Sequence, residues 1–277
     1  MTISQINIYP VKSLDGYSVA SAVVEKRGLR HDRRWMITDT EGVFVTQRVN
    51  GKMALLQAVV EDNTLIIKEK QNELNFIEIK INASSGLENT VTVWDDTVKA
   101  ASVSAAADAW LSAFLGKEYC LVVMPEATER RVEEGYNTGQ DVVSFADGYP
   151  FLIIGEASMA ELNARILAKG GEEGPLSIRR FRTNFVFTGG TSHVEDSLKN
   201  FKIGDIDFLG VKPCARCVLT TRDPDTGVKG KEPLLTLGTY RQVNNKIMFG
   251  QNLVWQFGKW SSDGLPVVKV GDIISVF

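Results

Sequence analysis

Between residues 43 and 98 the chain repeats one device, a short apolar or alternating run followed by a polar turn. The runs are Val43-Phe44-Val45, 55–60, 65–68, 76–81 and 91–98. Regularly spaced short strands of this kind are built into barrels or sandwiches. The period then changes. Residues 101–115 place Val103, Ala107, Trp110, Leu111, Phe114 and Leu115 on one helical face, with Gly116 as the stop. A helix after a set of strands marks the end of a unit, so a boundary is expected near Lys117, with 119–124 opening a second unit. At 277 residues and 44% hydrophobic content the chain can fill two such cores.

Around that frame lie several polar groups without an evident partner. Ile6 and Ile8 alternate with Asn7 in a strand that runs into Lys12, Ser13 and the turn at Asp15-Gly16. An ammonium and a hydroxyl at a strand end can hold a phosphate, although a solvated loop lysine looks the same in sequence. Residues 28–37 carry Arg30, Arg33 and Arg34 ahead of a strand, and Asp32 could fix one guanidinium. Residues 125–148 lack any period and read as a long surface excursion leading to Asp147 and a strand at 151–154. Ser158 and Glu161 form a capping-box pattern on a helix with Met159, Leu162, Ile166 and Leu167 on its stripe, ended by Gly170-Gly171. In 178–187, strand alternation puts Arg180, Arg182 and Asn184 on one face, an arrangement that asks for an anion. Residues 203–208 and 267–277 read as further strands.

Charge and motifs narrow the function. A net charge of −3 gives no reason to expect nucleic acid, no run approaches the ~20 apolar residues that span a bilayer, and no secretory signal opens the chain. The expectation is a cytoplasmic protein. Three cysteines are no disulfide framework, and neither dinucleotide nor phosphate-loop nor Gly-x-Ser-x-Gly signatures occur.

Two of the cysteines, Cys214 and Cys217, share the segment 212–227. A Cys-x-x-Cys pair serves as half of a zinc site, as a redox dithiol, or as a loop in which one thiolate binds a soft metal. Zinc needs four ligands, and only Cys120, His31 and His193 remain to complete the set. A redox pair wants a helix start, whereas Val218–Thr221 is a β-favouring run. Lys212 and Arg216 flank the thiols and would favour a thiolate, which suits the third use.

Five motifs occur in fixed order: Tyr-Pro-Val-Lys-Ser at 9–13, Asp-Arg-Arg-Trp at 32–35, Pro-Phe-Leu-Ile with Glu-Ala-Ser at 150–158, Arg-Phe-Arg-Thr-Asn at 180–184, and the Cys-x-x-Cys segment with Thr-Thr-Arg-Asp-Pro-Asp-Thr-Gly. In these the chain resembles the MOSC-domain molybdenum enzymes, particularly the mitochondrial amidoxime-reducing component and its bacterial relatives. The resemblance implies an α+β, mostly β protein, with an N-terminal β-barrel domain over 1–117 and a MOSC domain over 118–277. It also implies a molybdenum cofactor, Mo-molybdopterin, between them. By the same resemblance Cys217 ligates molybdenum, Lys12, Ser13, Arg33, Arg182 and Asn184 bind the cofactor, and Asp147 lies near the metal as a catalytic group. Ala215 replaces a serine of the mammalian relatives. Three cysteines cannot furnish an iron–sulfur cluster, so no C-terminal ferredoxin domain is expected. Electrons are expected from a separate ferredoxin- or flavin-type protein, and neither a mitochondrial anchor nor a membrane partner is expected. The implied activity is reduction of N-hydroxylated compounds such as hydroxylamines and amidoximes. The alternatives are a carrier of the molybdenum cofactor or of sulfur, and a zinc-binding structural module.

Overall fold

The structure, a computed structural model, describes residues 1–84, 86–136, 139–170, 173–257, 260 and 264–277. Its largest sheet runs in the order Ile274–Val276, Asn200–Ile203, Ile206–Arg216, Lys246–Trp255, Phe151–Gly155, Phe185–Thr188, Thr2–Ile8 and Tyr17–Val19, with Gln242–Val243 beside Lys246–Trp255. The ends approach each other, because Ile3 donates its amide to the Asp272 carbonyl and Ile274 donates to Met1, so the sheet curls into a barrel. Inward-facing residues fill it: Ile3, Ile6, Phe151, Phe185, Phe208 and Trp255 belong to one buried cluster. Phe151 stacks on Phe185 with centroids 5.7 Å apart and meets Phe208 edge-on at 5.5 Å, geometries that aromatic quadrupoles favour.

A second core lies under the short strands of the first half. Leu56–Glu61, Thr64–Glu69 and Asn72–Lys80 form a meander, and Trp35–Thr38, Cys120–Val123, Asp96–Ser102 and Glu88–Val93 form a four-stranded sheet. Helix α1, Ala105–Leu115, starts where the Ser104 side chain accepts from the Ala107 amide and stops at left-handed Gly116. It buries Ala107, Leu111 and Leu115 against this core.

The two halves are interleaved. Thr2–Ile8 pairs with Phe185–Thr188, and Ser21–Glu25 pairs with Val267–Lys269, so strands from the start of the chain complete sheets built near its end. Conversely, residues 119–124, expected to open the second unit, supply Cys120–Val123 to the first-half sheet between Trp35–Thr38 and Asp96–Ser102. Alternation alone names a strand and not its partner.

Other local expectations are corrected. Residues 178–187 are not one strand: Ile178–Phe181 is a 3₁₀ turn capped by left-handed Arg182, and the strand begins at Phe185. Val218–Thr221 is also a 3₁₀ turn, in which the Thr220 and Thr221 hydroxyls bond back to the Cys217 and Val218 carbonyls. Such side-chain bonding competes with a strand ladder. Helix α2, Glu156–Ala168, begins after Gly155, so Ser158 is no cap; its hydroxyl donates to buried Glu195. Gly170 is left-handed as expected of a helix end, while Gly171 lies outside the described residues. The stretch 125–148, except Asn137 and Thr138, which are outside the described residues, is no loose excursion: Val132, Val142, Val143 and Phe145 are buried.

Candidate functional site

The loop between the first two strands, 9–16, crosses from the barrel to the first-half core. The Lys12 amide donates to the Trp35 carbonyl and the Asp15 amide to that of Leu56. Gly16 lets the chain turn back, since a Cβ there would stand 2.0 Å from the Ile8 carbonyl oxygen. The loop thereby fixes Lys12 and Ser13, both almost fully buried. Across from it, Asp32 accepts the Tyr9 amide at 2.8 Å and Arg33 Nη1 at 2.6 Å, confirming the guanidinium partner the sequence suggested. Arg33 Nη2 donates to the Arg182 carbonyl, and both guanidinium carbons lie 4.5 Å from the Tyr9 ring centroid. Ser13, Arg33 and Arg182 all have left-handed backbones, with φ of 66°, 49° and 54°. Strained conformations of this kind persist where surrounding contacts over-determine them, which is common at functional sites.

Lys12, Ser13, Arg33, Asp147, Arg182, Asn184 and Cys217 line one cavity of about 130 Å³. All seven site residues expected from sequence therefore meet at one place, although they span more than two hundred positions of the chain. Lys12 Nζ donates to the Phe145 carbonyl at 2.8 Å and to Asp147 Oδ1 at 2.5 Å. Burial draws the Lys12 ammonium down to about 8, with Asp147 opposing. For Asp147, whose side chain is 65% exposed overall, the surrounding protein displaces part of its water and acts upward, but Lys12 and Arg48 override it and hold the carboxyl well below the usual carboxylate range. Burial, reinforced by the like charge of Arg33, draws Arg182 down to about 10. Asn184 is more tether than free donor: its Nδ2 donates to the Asn7 carbonyl and its Oδ1 accepts from the Leu152 amide.

The comparisons with known proteins agree with this arrangement. Residues 1–118 match the MOSC N-terminal beta barrel domain and residues 140–275 the MOSC domain. Mitochondrial amidoxime-reducing component 1 of Homo sapiens is 33% identical over 98% of this chain and 81% of its own, and that of Mus musculus is 32% identical over the same shares. The chain belongs to the MOSC family. Molybdenum cofactor sulfurase of Arabidopsis thaliana is 29% identical over 92% of this MOSC protein, which spans 33% of the sulfurase. These relationships make its function molybdenum-related. No helix among the described residues is long and apolar enough to cross a membrane.

The residues present fit a phosphorylated pterin cofactor on grounds of charge and hydrogen bonding. Lys12, Arg33, Arg48, Arg180, Arg182 and Arg216 line the cavity, against one carboxylate, Asp147. Asp32 and Asp223 offset Arg33 and Arg180 from behind. Buried Nη2 atoms of Arg182 and Arg216 still have no hydrogen-bond partner among the described residues. Unpaired buried donors are costly, and an anion with several acceptor oxygens would satisfy them. No cluster of three or more His, Cys, Asp or Glu side chains suited to a metal occurs among the described residues, so the zinc reading finds no ligand set.

Two features of this MOSC site were missed by sequence reasoning. Lys212 does not face the thiols: it pairs with Glu133 at 2.8 Å, and Arg216 donates to the Phe249 and Phe181 carbonyls. The cation at Cys217 is Arg48, whose Nη2 stands 2.9 Å from Sγ. Trp94, whose Nε1 donates to Asp147 Oδ1 at 3.1 Å, was the other omission. Neither sits in a pattern that periodicity or motif order marks. Cys214 packs against Leu152, Phe181 and their neighbours, and burial raises its thiol pKa, which suits a structural neighbour better than a second ligand.

Proposed function

We propose that this protein is a molybdenum-cofactor-dependent reductase of N-hydroxylated compounds, supplied with electrons by a separate ferredoxin- or flavin-type protein. The observation that supports it is the six-cation cavity that holds the Cys217 sulfur beside Arg48. In this reading Cys217 holds the metal, and Lys12, Ser13, Arg33 and Arg182 hold the cofactor's phosphate, with Asn184 fixing the wall behind them. The bound cofactor supplies the two-electron chemistry by which an N–OH group is reduced to N–H and water, with uptake of two protons.

The chain's own groups bind and orient. Asp147 Oδ1 is taken by Lys12 and Trp94, whereas Oδ2 lies 3.9 Å from Arg48 and the side chain is 65% exposed. That free oxygen accepts an N–H of the substrate, while Arg48 donates toward the substrate oxygen. Lys12 Nζ, protonated at neutral pH, holds a proton against Asp147 Oδ1. Protein from a host that makes the cofactor should carry about one molybdenum per chain and turn over an aryl amidoxime with a chemical reductant. Cys217→Ser should lose both. Full turnover by that variant refutes the assignment. The similarity to sulfurases supports one other reading, a cofactor or sulfur carrier, which the absence of turnover in a molybdenum-loaded protein would favour.

A further inference from the structure

The turn between strands Glu88–Val93 and Asp96–Ser102 belongs to the first half of the chain, yet its tip contacts Lys12, Arg48 and Asp147, which line the cavity. Arg130 ties it there: its Nε donates to Asp96 at 2.6 Å, and its other nitrogens donate to the Ser144, Ala146 and Asp147 carbonyls. The hairpin and the segment that carries Asp147 are thus one unit. At its tip Trp94 has a left-handed backbone, φ 56°, which is unfavourable for a bulky side chain, and the residue is 39% exposed. Neither hydrophobic burial nor backbone preference accounts for tryptophan at this position.

Three of its side-chain contacts, Lys12, Arg48 and Asp147, line the cavity. The Arg48 guanidinium carbon lies 4.5 Å from the Trp94 ring centroid, Lys12 Nζ lies 5.8 Å away, and Phe44 packs against the ring at 5.0 Å. The Arg48 side chain is 21% exposed and Trp94, beyond it, 39%. Arg48, which lines the cavity and reaches Cys217 Sγ at 2.9 Å, is thus covered on one face by the indole. We propose that Trp94 is the specificity-determining residue of the site: its ring sets the breadth of what reaches the Cys217 sulfur, and its N–H holds Asp147 in place. The site then favours flat, narrow N-hydroxylated compounds over those branched beside the nitrogen. This rests on the reading of Cys217 as the working sulfur.

The test uses the full chain made without cofactor, so that Cys217 is free to react. Rates of alkylation by iodoacetamide and by a pyrenyl maleimide are mapped to individual cysteines by peptide mass, with Cys120 as internal reference. Trp94→Asn suits the left-handed backbone and removes the ring, whereas Trp94→Phe keeps a ring and removes the N–H. Trp94→Asn should raise the bulky-to-small rate ratio at Cys217 roughly tenfold, the scale on which one pocket side chain discriminates ligands, with Cys120 unchanged. Trp94→Phe should stay near the parent ratio. Taking a ratio cancels any change in thiolate population caused by Arg48. In molybdenum-loaded protein, kcat/KM for a branched against a flat amidoxime should move the same way. An unchanged ratio in Trp94→Asn, or an equal change in both variants, overturns the proposal. Absence of molybdenum together with a raised ratio retains the gate and refutes the enzyme reading instead.

Discussion

Replacing Lys12 by methionine should stabilise the cofactor-free protein at neutral pH, although the side chain is buried and hydrogen-bonded. Its ammonium falls from an ordinary 10.5 to about 8 on folding. At about 1.4 kcal/mol per pH unit, holding that charge costs on the order of 3 kcal/mol even with Asp147 beside it. Against this, Lys12→Met leaves the Phe145 carbonyl without that donor, a loss of about 1–3 kcal/mol. Asp147, 65% exposed, is rehydrated at little cost. The net at pH 7 is a gain of up to about 2 kcal/mol, where truncating an ordinary buried side chain costs about 2–5. The sign of the pH dependence follows. With its folded value lowered, Lys12 binds fewer protons in the native state between about 8 and 10.5, so wild-type stability rises with pH through that window, and the variant lacks the rise. Urea midpoints at pH 7 and pH 10 measure both effects. The variant should have the higher midpoint at pH 7 and the lower at pH 10. A variant that is markedly less stable at pH 7, or a midpoint difference unchanged between the two pH values, refutes the charge argument.

Inorganic phosphate, followed by calorimetry on cofactor-free protein, should bind best below pH 8 and weaken up to about tenfold per pH unit above it, because binding favours the protonated Lys12. Asn184→Leu strips a partner from the Asn7 carbonyl and the Leu152 amide, so it should cost on the order of 3 kcal/mol, read as a fall in thermal midpoint of roughly 6–12 °C. Gly16→Ala places a Cβ 2.0 Å from the Ile8 carbonyl oxygen; it should cost about 3 kcal/mol and weaken phosphate binding by displacing Lys12 and Ser13.

Much of this site was legible because its residues sit in short motifs whose order survives in the sequence. Lys12, Arg33, Asp147, Arg182 and Cys217 could be collected that way without knowing how the chain brings them together. The reasoning given for Arg180, Arg182 and Asn184 was wrong even so: strand alternation does not apply, and left-handed Arg182 after a 3₁₀ turn is what directs the guanidinium to Tyr9. Arg48 shows the limit of local signals. It lies in a loop 169 residues from Cys217, and it reaches the sulfur packed against the Trp94 ring, through contacts distant in sequence. The fold was legible where period and turn spacing sufficed, as in the meander and α1. It was not where pairing is long-range, as for Cys120–Val123, since a strand's neighbours depend on register set elsewhere.

The exchange of strands between the halves carries a consequence for biogenesis. Thr2–Ile8 leaves the ribosome first, yet its partner Phe185–Thr188 is made some 180 residues later, a delay of roughly 10–35 s at ~5–20 residues per second. Throughout that interval Lys12, Ser13 and Arg33 hang on an unclosed edge, while the sulfur meant to face them does not yet exist. On the function proposed above, a nascent chain can neither trap the cofactor early nor hold it halfway, and loading belongs to the finished polypeptide.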